Sequence, residues 1–115
     1  MKKLLAILLL FLSTTVVFSQ TIECDDNDIC VVEFNASFNE QNKTTWLNDL
    51  TDCGIKRILI DKGDWKTEFK IFAVPTIIVF NGEEVERFSP NIMMQVDAKL
   101  EDVQGVIDET LMSDF

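Results

Sequence analysis

The segment 74–88 constrains the fold most, because it encodes two strands and the turn that joins them. It opens with the apolar run Val-Pro-Thr-Ile-Ile-Val-Phe, which is typical of a buried strand. Asn81 and Gly82 follow, and an Asn-Gly pair between two strand-like segments is a strong β-hairpin signal. Residues 83–88 then alternate in character as a half-exposed return strand does, and Pro90 ends it. The chain is therefore expected to contain an antiparallel hairpin.

Two strand-and-helix units precede the hairpin. Cys30–Ala36 is a near-continuous apolar run with a single acid, which is typical of a strand buried on both faces. A helix is predicted over about Asn39–Asp52, and Gly54 is a natural stop for it. Ile55–Asp61 suits a second strand, parallel to the first. Asp64 then begins a short helix with aromatic residues at helical spacing.

A closing helix is predicted over about Ala98–Met112, capped by Asp97 and with four aliphatic residues facing inward. The element order is then β-α-β-α-β-β-α. Parallel units followed by an antiparallel hairpin and a last helix predict an α/β fold, with a central mixed β-sheet of about four strands flanked by helices.

The amino-terminal residues have the pattern of a secretory signal peptide. Two lysines open the chain, Leu4–Leu12 is apolar and uncharged, and a more polar stretch follows up to Ser19. The apolar run is shorter than the roughly 20 residues of a spanning helix. We therefore expect residues 1–19 to be removed before Gln20 and residues 20–115 to form one secreted or periplasmic domain without membrane attachment.

The chain is strongly acidic, with a net charge of −10 that would become −12 once the two signal-peptide lysines are removed. Such a charge repels nucleic-acid phosphates and anionic lipid, so neither is expected as a partner. Solubility is the simplest explanation, and an acidic cation-binding protein is an alternative. Asp25, Asp26 and Asp28 form an acidic turn that lacks the glycine and distant glutamate of an EF-hand. No metal site and no cofactor is predicted.

Two motifs resemble the thioredoxin family. Residues 32–34 read Val-Glu-Phe and are followed by Ala36 and Lys43, as around that family's active site. Phe69–Thr76 reads Phe-Lys-Ile-Phe-Ala-Val-Pro-Thr and is similar to the family's segment of an aromatic residue, isoleucine, a small residue, valine, proline and threonine. The resemblance covers roughly Cys30–Met112 and implies a thioredoxin-like fold.

The reactive pair of that family is absent from this chain. The resemblance places its two cysteines at Asn39 and Asn42, where the sequence reads Asn-Glu-Gln-Asn. An amide cannot become a thiolate nucleophile, so disulfide exchange at this place is chemically excluded and no catalytic residue is assigned. Asn39 is instead expected to cap the amino end of the following helix. Glu33, the family's buried acid, is expected to be structural, with Lys43 or a water as its partner.

Three cysteines remain, at positions 24, 30 and 53. Export favours a disulfide, and three thiols allow one bond and leave one over. Cys24–Cys30 and Cys30–Cys53 are both open, and the thiol left over could link two chains as a dimer. An alternative function also follows, a divergent thiol-disulfide oxidoreductase of cell redox homeostasis that would use Cys24, Cys30 or Cys53.

The resemblance also implies a groove for an extended peptide. In the family, the backbone just before a cis-proline pairs with the substrate, and this implies a cis bond before Pro75 here. An exposed edge of this kind binds peptides through main-chain hydrogen bonds. The main expectation is an exported, redox-inactive thioredoxin-like domain that binds a protein or peptide partner. The expected groove residues are Phe38, Asn39, Phe72, Val74, Pro75 and Thr76.

Overall fold

The computed structural model describes residues 22–113, and the signal peptide expected over residues 1–19 lies outside them. Four strands form one mixed sheet in the order β2-β1-β3-β4. They are β1 (Cys30–Asn35), β2 (Gly54–Leu59), β3 (Thr76–Asn81) and β4 (Glu83–Phe88). β1 pairs in parallel with β2 and antiparallel with β3, and β3 pairs antiparallel with β4. The predicted four-stranded mixed sheet is confirmed.

The two central strands, β1 and β3, divide the core between the faces of the sheet. Successive side chains of a strand point to opposite faces, so an unbroken apolar strand contributes to two apolar clusters. Val32 and Phe34 of β1 pack with Phe80 on one face. Val31 packs with Val79 on the other, beneath the last helix. Both strands are buried almost throughout, as the apolar runs predict.

The hairpin forms where the Asn-Gly pair predicts it. Gly82 lies between β3 and β4 with a φ of 77°, a conformation that a glycine adopts at no steric cost. β4 is an edge strand with three glutamates, and charged side chains discourage further strand pairing at an edge. The Val74–Pro75 bond is cis, as expected, and β3 begins directly after it.

The helix predicted over Asn39–Asp52 is wrong. Two short 3-10 helices, Ser37–Asn42 and Leu47–Asp49, occupy this region instead. The Glu33 carboxylate accepts the N–H of Thr44 at 2.6 Å, which removes a donor that a continuous helix would use. Asparagine and threonine are also frequent here, and their side chains compete with helical backbone hydrogen bonds. Tertiary contacts therefore override a weak local preference.

Two α-helices complete the fold: α1 (Trp65–Glu68) and α2 (Leu100–Ser113). α2 buries Val103 and Ile107 against the cluster beneath β1 and β3, as its inward-facing residues predict. None of the helices within residues 22–113 is long and apolar enough to cross a membrane.

The start of α2 differs from the prediction. The helix begins at Leu100, and the Asp97 carboxylate accepts a hydrogen bond from the Asn91 side chain at 2.8 Å instead of capping the helix. The Lys99 N–H donates to the Asp102 carboxylate at 2.8 Å, so an acid in the first turn accepts a backbone N–H that the start of the helix leaves without a helical partner.

Candidate functional site

Asn39 and Asn42 occupy the positions where the resemblance places the reactive pair, and their side chains contact each other. The Asn42 Nδ2 donates to the Asn39 Oδ1 at 2.8 Å. Asn39 is only 2% exposed, and its Nδ2 donates to the Asn35 Oδ1 at 3.1 Å and to the Met94 carbonyl at 3.2 Å. The expected capping role is wrong: the residue before the 3-10 helix is Ala36, no side chain caps that helix, and Asn39 points inward.

The hydrogen bonds continue from these amides in both directions. The Asn35 Nδ2 donates to the Asn39 carbonyl at 3.2 Å, and the Gln95 Nε2 donates to the Asn42 Oδ1 at 3.3 Å. We call Asn35, Asn39, Asn42 and Gln95 the amide network. It ties the carboxyl end of β1 to the segment that precedes α2.

That segment, residues 90–97, is a compact loop organised by Asn91, and we call it the Asn91 loop. The Asn91 N–H donates to the Gln95 carbonyl at 2.8 Å. The Asn91 Oδ1 accepts the N–H groups of Met93 at 2.8 Å and of Gln95 at 3.2 Å. Met94 has a φ of 60° and presents its carbonyl to Asn39. The loop is thus fixed both internally and against the amide network.

Beside the cis Val74–Pro75 bond lies an apolar cleft of about 260 Å³, which we call the Phe72 cleft. Large apolar side chains rim it and stay in solvent: Phe72 is 88% exposed, Phe38 67% and Met94 43%. Clustered exposed apolar residues in a soluble protein mark an interaction surface more often than isolated ones do. The lining consists of Phe38, Ile60, Lys66, Ile71, Phe72, Ala73, Val74, Pro90, Asn91 and Met94.

Three of the six residues expected in the groove line this cleft, and three do not. Phe38, Phe72 and Val74 are among its walls, although Val74 itself is largely buried. Asn39, Pro75 and Thr76 are buried and are not part of the lining. The Thr76 hydroxyl donates to the Ala73 carbonyl at 2.7 Å, so Thr76 holds the turn that leads into the cis bond.

Sequence reasoning missed Met94 and Lys66 as members of the cleft. Met94 lies in a connector in which residues 92–94 form a short apolar run, and nothing in that run relates it to the proline segment. Lys66 belongs to α1, and nothing in its local sequence relates it to the proline segment. Their proximity follows from the tertiary fold.

The main chain of Val74 carries no hydrogen bond from the described residues. The neighbouring Ala73 carbonyl, in contrast, already accepts the Thr76 hydroxyl. Backbone N–H and C=O groups are strong hydrogen-bonding groups that need a partner when water is excluded. An extended chain laid in the cleft could supply one at Val74.

Glu33 is 2% exposed and is satisfied by neighbouring protein groups. Its carboxylate accepts the Thr44 N–H at 2.6 Å and a hydrogen bond from the Arg57 guanidinium at 2.6 Å. Arg57 also donates to the Thr44 carbonyl at 2.6 Å. The expected Lys43 partner is wrong, because the Lys43 ammonium lies 3.7 Å from Glu40 instead. The Glu33 ion pair joins β1, β2 and the segment between them.

The disulfide joins Cys24 and Cys30, and the alternative Cys30–Cys53 bond does not form. Cys53 is a free, partly buried thiol. Burial, with a smaller contribution from the Asp52 carboxylate, raises the pKa of Cys53 from 9.0 to about 11. Cys30 begins β1, whereas the amide network lies past the other end of that strand. The disulfide is thus separated from the Phe72 cleft by the length of the strand.

The acidic turn forms one wall of a separate, polar pocket of about 590 Å³. Its lining includes Asp25, Asp26 and Asp28, together with residues of the hairpin turn. Within residues 22–113, no three histidine, cysteine or carboxylate side chains are grouped so that they could hold a metal ion.

The sequence matches no protein-family model and no curated protein. The structure, however, is similar to solved thioredoxins. A mutant thioredoxin from Halobacterium salinarum NRC-1 has a TM-score of 0.55 and 23% identity, covering 73% of this chain and 75% of that one. Thioredoxin-2 of a malaria parasite, described as a component of its protein secretion machinery, has a TM-score of 0.58 and 14% identity, covering 82% of this chain and 98% of that one.

A third similar structure is the oxidized mitochondrial thioredoxin 3 from Saccharomyces cerevisiae, with a TM-score of 0.50 and 17% identity over 73% of this chain and 80% of that one. The protein therefore has a thioredoxin-like fold. A shared fold does not transfer an activity, so its function depends on the site itself.

Proposed function

We propose that this protein binds extended peptide segments in the Phe72 cleft and performs no thiol-disulfide exchange there. The observation that carries the proposal is the meeting of Phe38, Phe72 and Met94 around one cleft. These three residues come from separate parts of the chain, and each keeps much of its apolar surface in water. Covering that surface is favourable, at roughly 25 cal/mol for each Å² removed from solvent.

The cleft suits an extended chain better than a compact ligand. Its volume of about 260 Å³ is below the range of about 300–1,000 Å³ that is usual for enclosed small-molecule sites. Val74 lines the cleft, and its main chain has no hydrogen-bond partner among the described residues, so an extended chain in the cleft could pair with it. Peptides recognised in this way gain affinity from the backbone and specificity from side-chain pockets.

Thiol chemistry is disfavoured at the cleft for a direct reason. Asn39 and Asn42 hold the positions of the reactive pair, and their amides are occupied with each other. The one free thiol, Cys53, has a raised pKa and therefore forms little of the thiolate that attacks disulfides.

We further propose that the protein acts outside the cytoplasm, in the periplasm or as a secreted protein. Two independent features support this location: the signal-peptide pattern of residues 1–19 and the Cys24–Cys30 disulfide. Disulfides of this structural kind persist in oxidising compartments. The partner is then an exported protein or peptide.

Fluorescence anisotropy with labelled heptapeptides tests the proposal. The set has one backbone length and carries leucine, phenylalanine or serine at three central positions. We expect the apolar peptides to bind and the serine peptide not to bind. Phe72→Ser should weaken binding about tenfold or more, because it removes the most exposed aromatic ring of the cleft and the apolar surface that a bound peptide would cover.

Val85→Ser is the matched control for Phe72→Ser. Val85 is also an exposed apolar residue, at 42%, but it lies on β4 and does not line the cleft. Binding should survive this change, and it should survive alkylation of Cys53. Equal loss in both variants, or loss on alkylation, would contradict a specific role for the Phe72 cleft.

A further inference from the structure

Lys66 is the one charged side chain among the described residues that line the Phe72 cleft. The rest of the lining is apolar apart from Asn91. This is unexpected in a chain with a net charge of −10, in which an acid is twice as frequent as a base. The cleft thus carries the opposite sign to the molecule as a whole.

The Lys66 ammonium has no acidic partner. The three ion pairs within residues 22–113 involve Lys43, Arg57 and Arg87, and Lys66 is in none of them. The Lys66 carbonyl accepts the Ile71 N–H at 2.9 Å, which fixes the backbone from which its side chain projects.

Asp61, an acid close to Lys66 in sequence, is already engaged. Its two carboxylate oxygens accept the Ser37 N–H at 3.0 Å and the Ser37 hydroxyl at 2.7 Å. These hydrogen bonds, the largest influence on this group, lower the pKa of Asp61 below its usual 3.8. The Asp61 carboxylate is therefore held by Ser37. Asp64 and Glu68, the acids nearest to Lys66 in sequence, form no ion pair with it either.

We propose that the Phe72 cleft selects extended peptide segments in which a carboxylate side chain stands beside large apolar residues, and that Lys66 determines this specificity. The inference rests on the proposed peptide binding and names its substrate class. The apolar residues of the peptide would cover the exposed rings of Phe38 and Phe72. The peptide carboxylate would pair with the free ammonium, at a surface where a charged pair interacts more strongly than in bulk water.

The net negative charge of the protein repels a peptide carboxylate, whereas Lys66 attracts it. Which effect is larger depends on how far each charge lies from the bound peptide. At physiological salt, charges separated by more than about 8 Å are largely screened. Most of the negative charge of the molecule lies outside the cleft lining, whereas Lys66 is part of it. No acid among the described residues lines the cleft, so Lys66 is the charged side chain that a seated peptide carboxylate contacts, and we expect this contact to outweigh the overall acidity.

The test uses three labelled heptapeptides that share two central leucines and differ only in the next residue, which is aspartate, asparagine or lysine. Anisotropy should show the aspartate peptide binding roughly two- to fivefold more tightly than the asparagine peptide, with the lysine peptide weakest. The advantage should shrink at high salt and lie mainly in the association rate, as is typical of rim charges.

Charge reversal supplies the sharper arm of the test. Lys66→Glu should invert the order, so that the lysine peptide binds best. Lys56→Glu is the matched control, because Lys56 is an exposed lysine on β2 outside the cleft and the change in net charge is identical. The control should leave the order of the three peptides unchanged.

The outcomes separate the inference from the function on which it rests. Equal binding of all three peptides that still depends on Phe72 would overturn the role of Lys66 and leave peptide binding intact. Tightest binding of the lysine peptide by the unmodified protein would mean that the overall charge governs selection. If none of the peptides binds, both proposals fail. Displacement of the aspartate peptide by dodecanoate at lower concentration than by unlabelled peptide would assign the cleft to amphiphiles and also overturn the inference.

Discussion

Asn39 keeps its side chain almost fully buried and uses both ends of its amide. The nitrogen serves Asn35 and the Met94 carbonyl, and the oxygen serves Asn42. A buried amide is tolerated only when its hydrogen bonds are made, because an unpaired polar group in the interior costs about 1–3 kcal/mol. The Asn39 side chain thus holds together the residues around it and contributes to the shape of the site.

Replacement of Asn39 by alanine should therefore lower the free energy of unfolding by about 2–3 kcal/mol. The change removes three hydrogen bonds and leaves the Met94 carbonyl without this donor. Urea unfolding followed by tryptophan fluorescence measures the loss. Asn42→Ala is the matched control and should cost less than Asn39→Ala, because Asn42 is only partly buried and a water that enters the vacated space can donate to the Asn39 Oδ1 in its place. Equal losses in the two variants would contradict the special role of Asn39.

In the connection between β1 and β2, hydrogen bonds from side chains to the backbone take the place of a continuous α-helix. The Glu33 carboxylate and the Arg57 guanidinium hold the N–H and the carbonyl of Thr44 respectively. Both backbone groups are those that a helix would use internally. The chain passes through two 3-10 helices instead, and this brings Asn39 and Asn42 under the Asn91 loop.

Replacement of a glycine by alanine is expected to have opposite effects on stability in β2 and in α2. Gly54 begins β2 against the disulfide, and a Cβ there would lie 2.6 Å from the Cys24 sulfur. Gly105 lies within α2, and an added methyl would meet nothing within 4 Å. Gly54→Ala should lower the free energy of unfolding by about 1–3 kcal/mol through overpacking. Gly105→Ala should raise it by about 0.5–1 kcal/mol through helix propensity.

Thermal or urea unfolding of the two variants side by side tests this pair. The amino-acid change is the same in both, so its intrinsic effect on the unfolded chain is shared. A stable Gly54→Ala variant would mean that the disulfide does not pack against β2 as described. A destabilised Gly105→Ala variant would contradict the open space beside α2.

The sequence predicted the elements whose signals are local. The Asn-Gly hairpin, the apolar central strands and the inner face of α2 each depend on a pattern within a few residues, and each is confirmed. The first helix was predicted wrongly because Glu33 and Arg57, from neighbouring strands, decide the conformation of the segment. The cleft was only partly predictable for the same reason, since Met94 and Lys66 reach it through the tertiary fold.

At the scale of the whole molecule, the Cys24–Cys30 disulfide and the candidate binding site lie at opposite ends of β1. The disulfide is at the start of the strand, and the amide network and the Phe72 cleft lie past its end. Solved thioredoxins share the fold. The sequence resemblance places that family's reactive pair at Asn39 and Asn42, where this chain has amides. The scaffold is thus compatible with recognition without a reacting sulfur at the cleft.

A protein that comprises residues 20–115 should not reduce insulin above the background given by dithiothreitol, whereas a thioredoxin with both cysteines should do so in the same assay. Cys24 and Cys30 are bonded to each other and largely buried, so neither offers a free thiol to a protein substrate. Burial raises the pKa of Cys53 to about 11, so little of this thiol is ionised at pH 7, and the ionised fraction rises as the pH increases. Turnover that the Cys53→Ser variant abolishes would identify Cys53 as a nucleophile and refute the assignment of a purely binding role. Turnover that persists in that variant would place the reaction at the disulfide, which would then have to open to solvent.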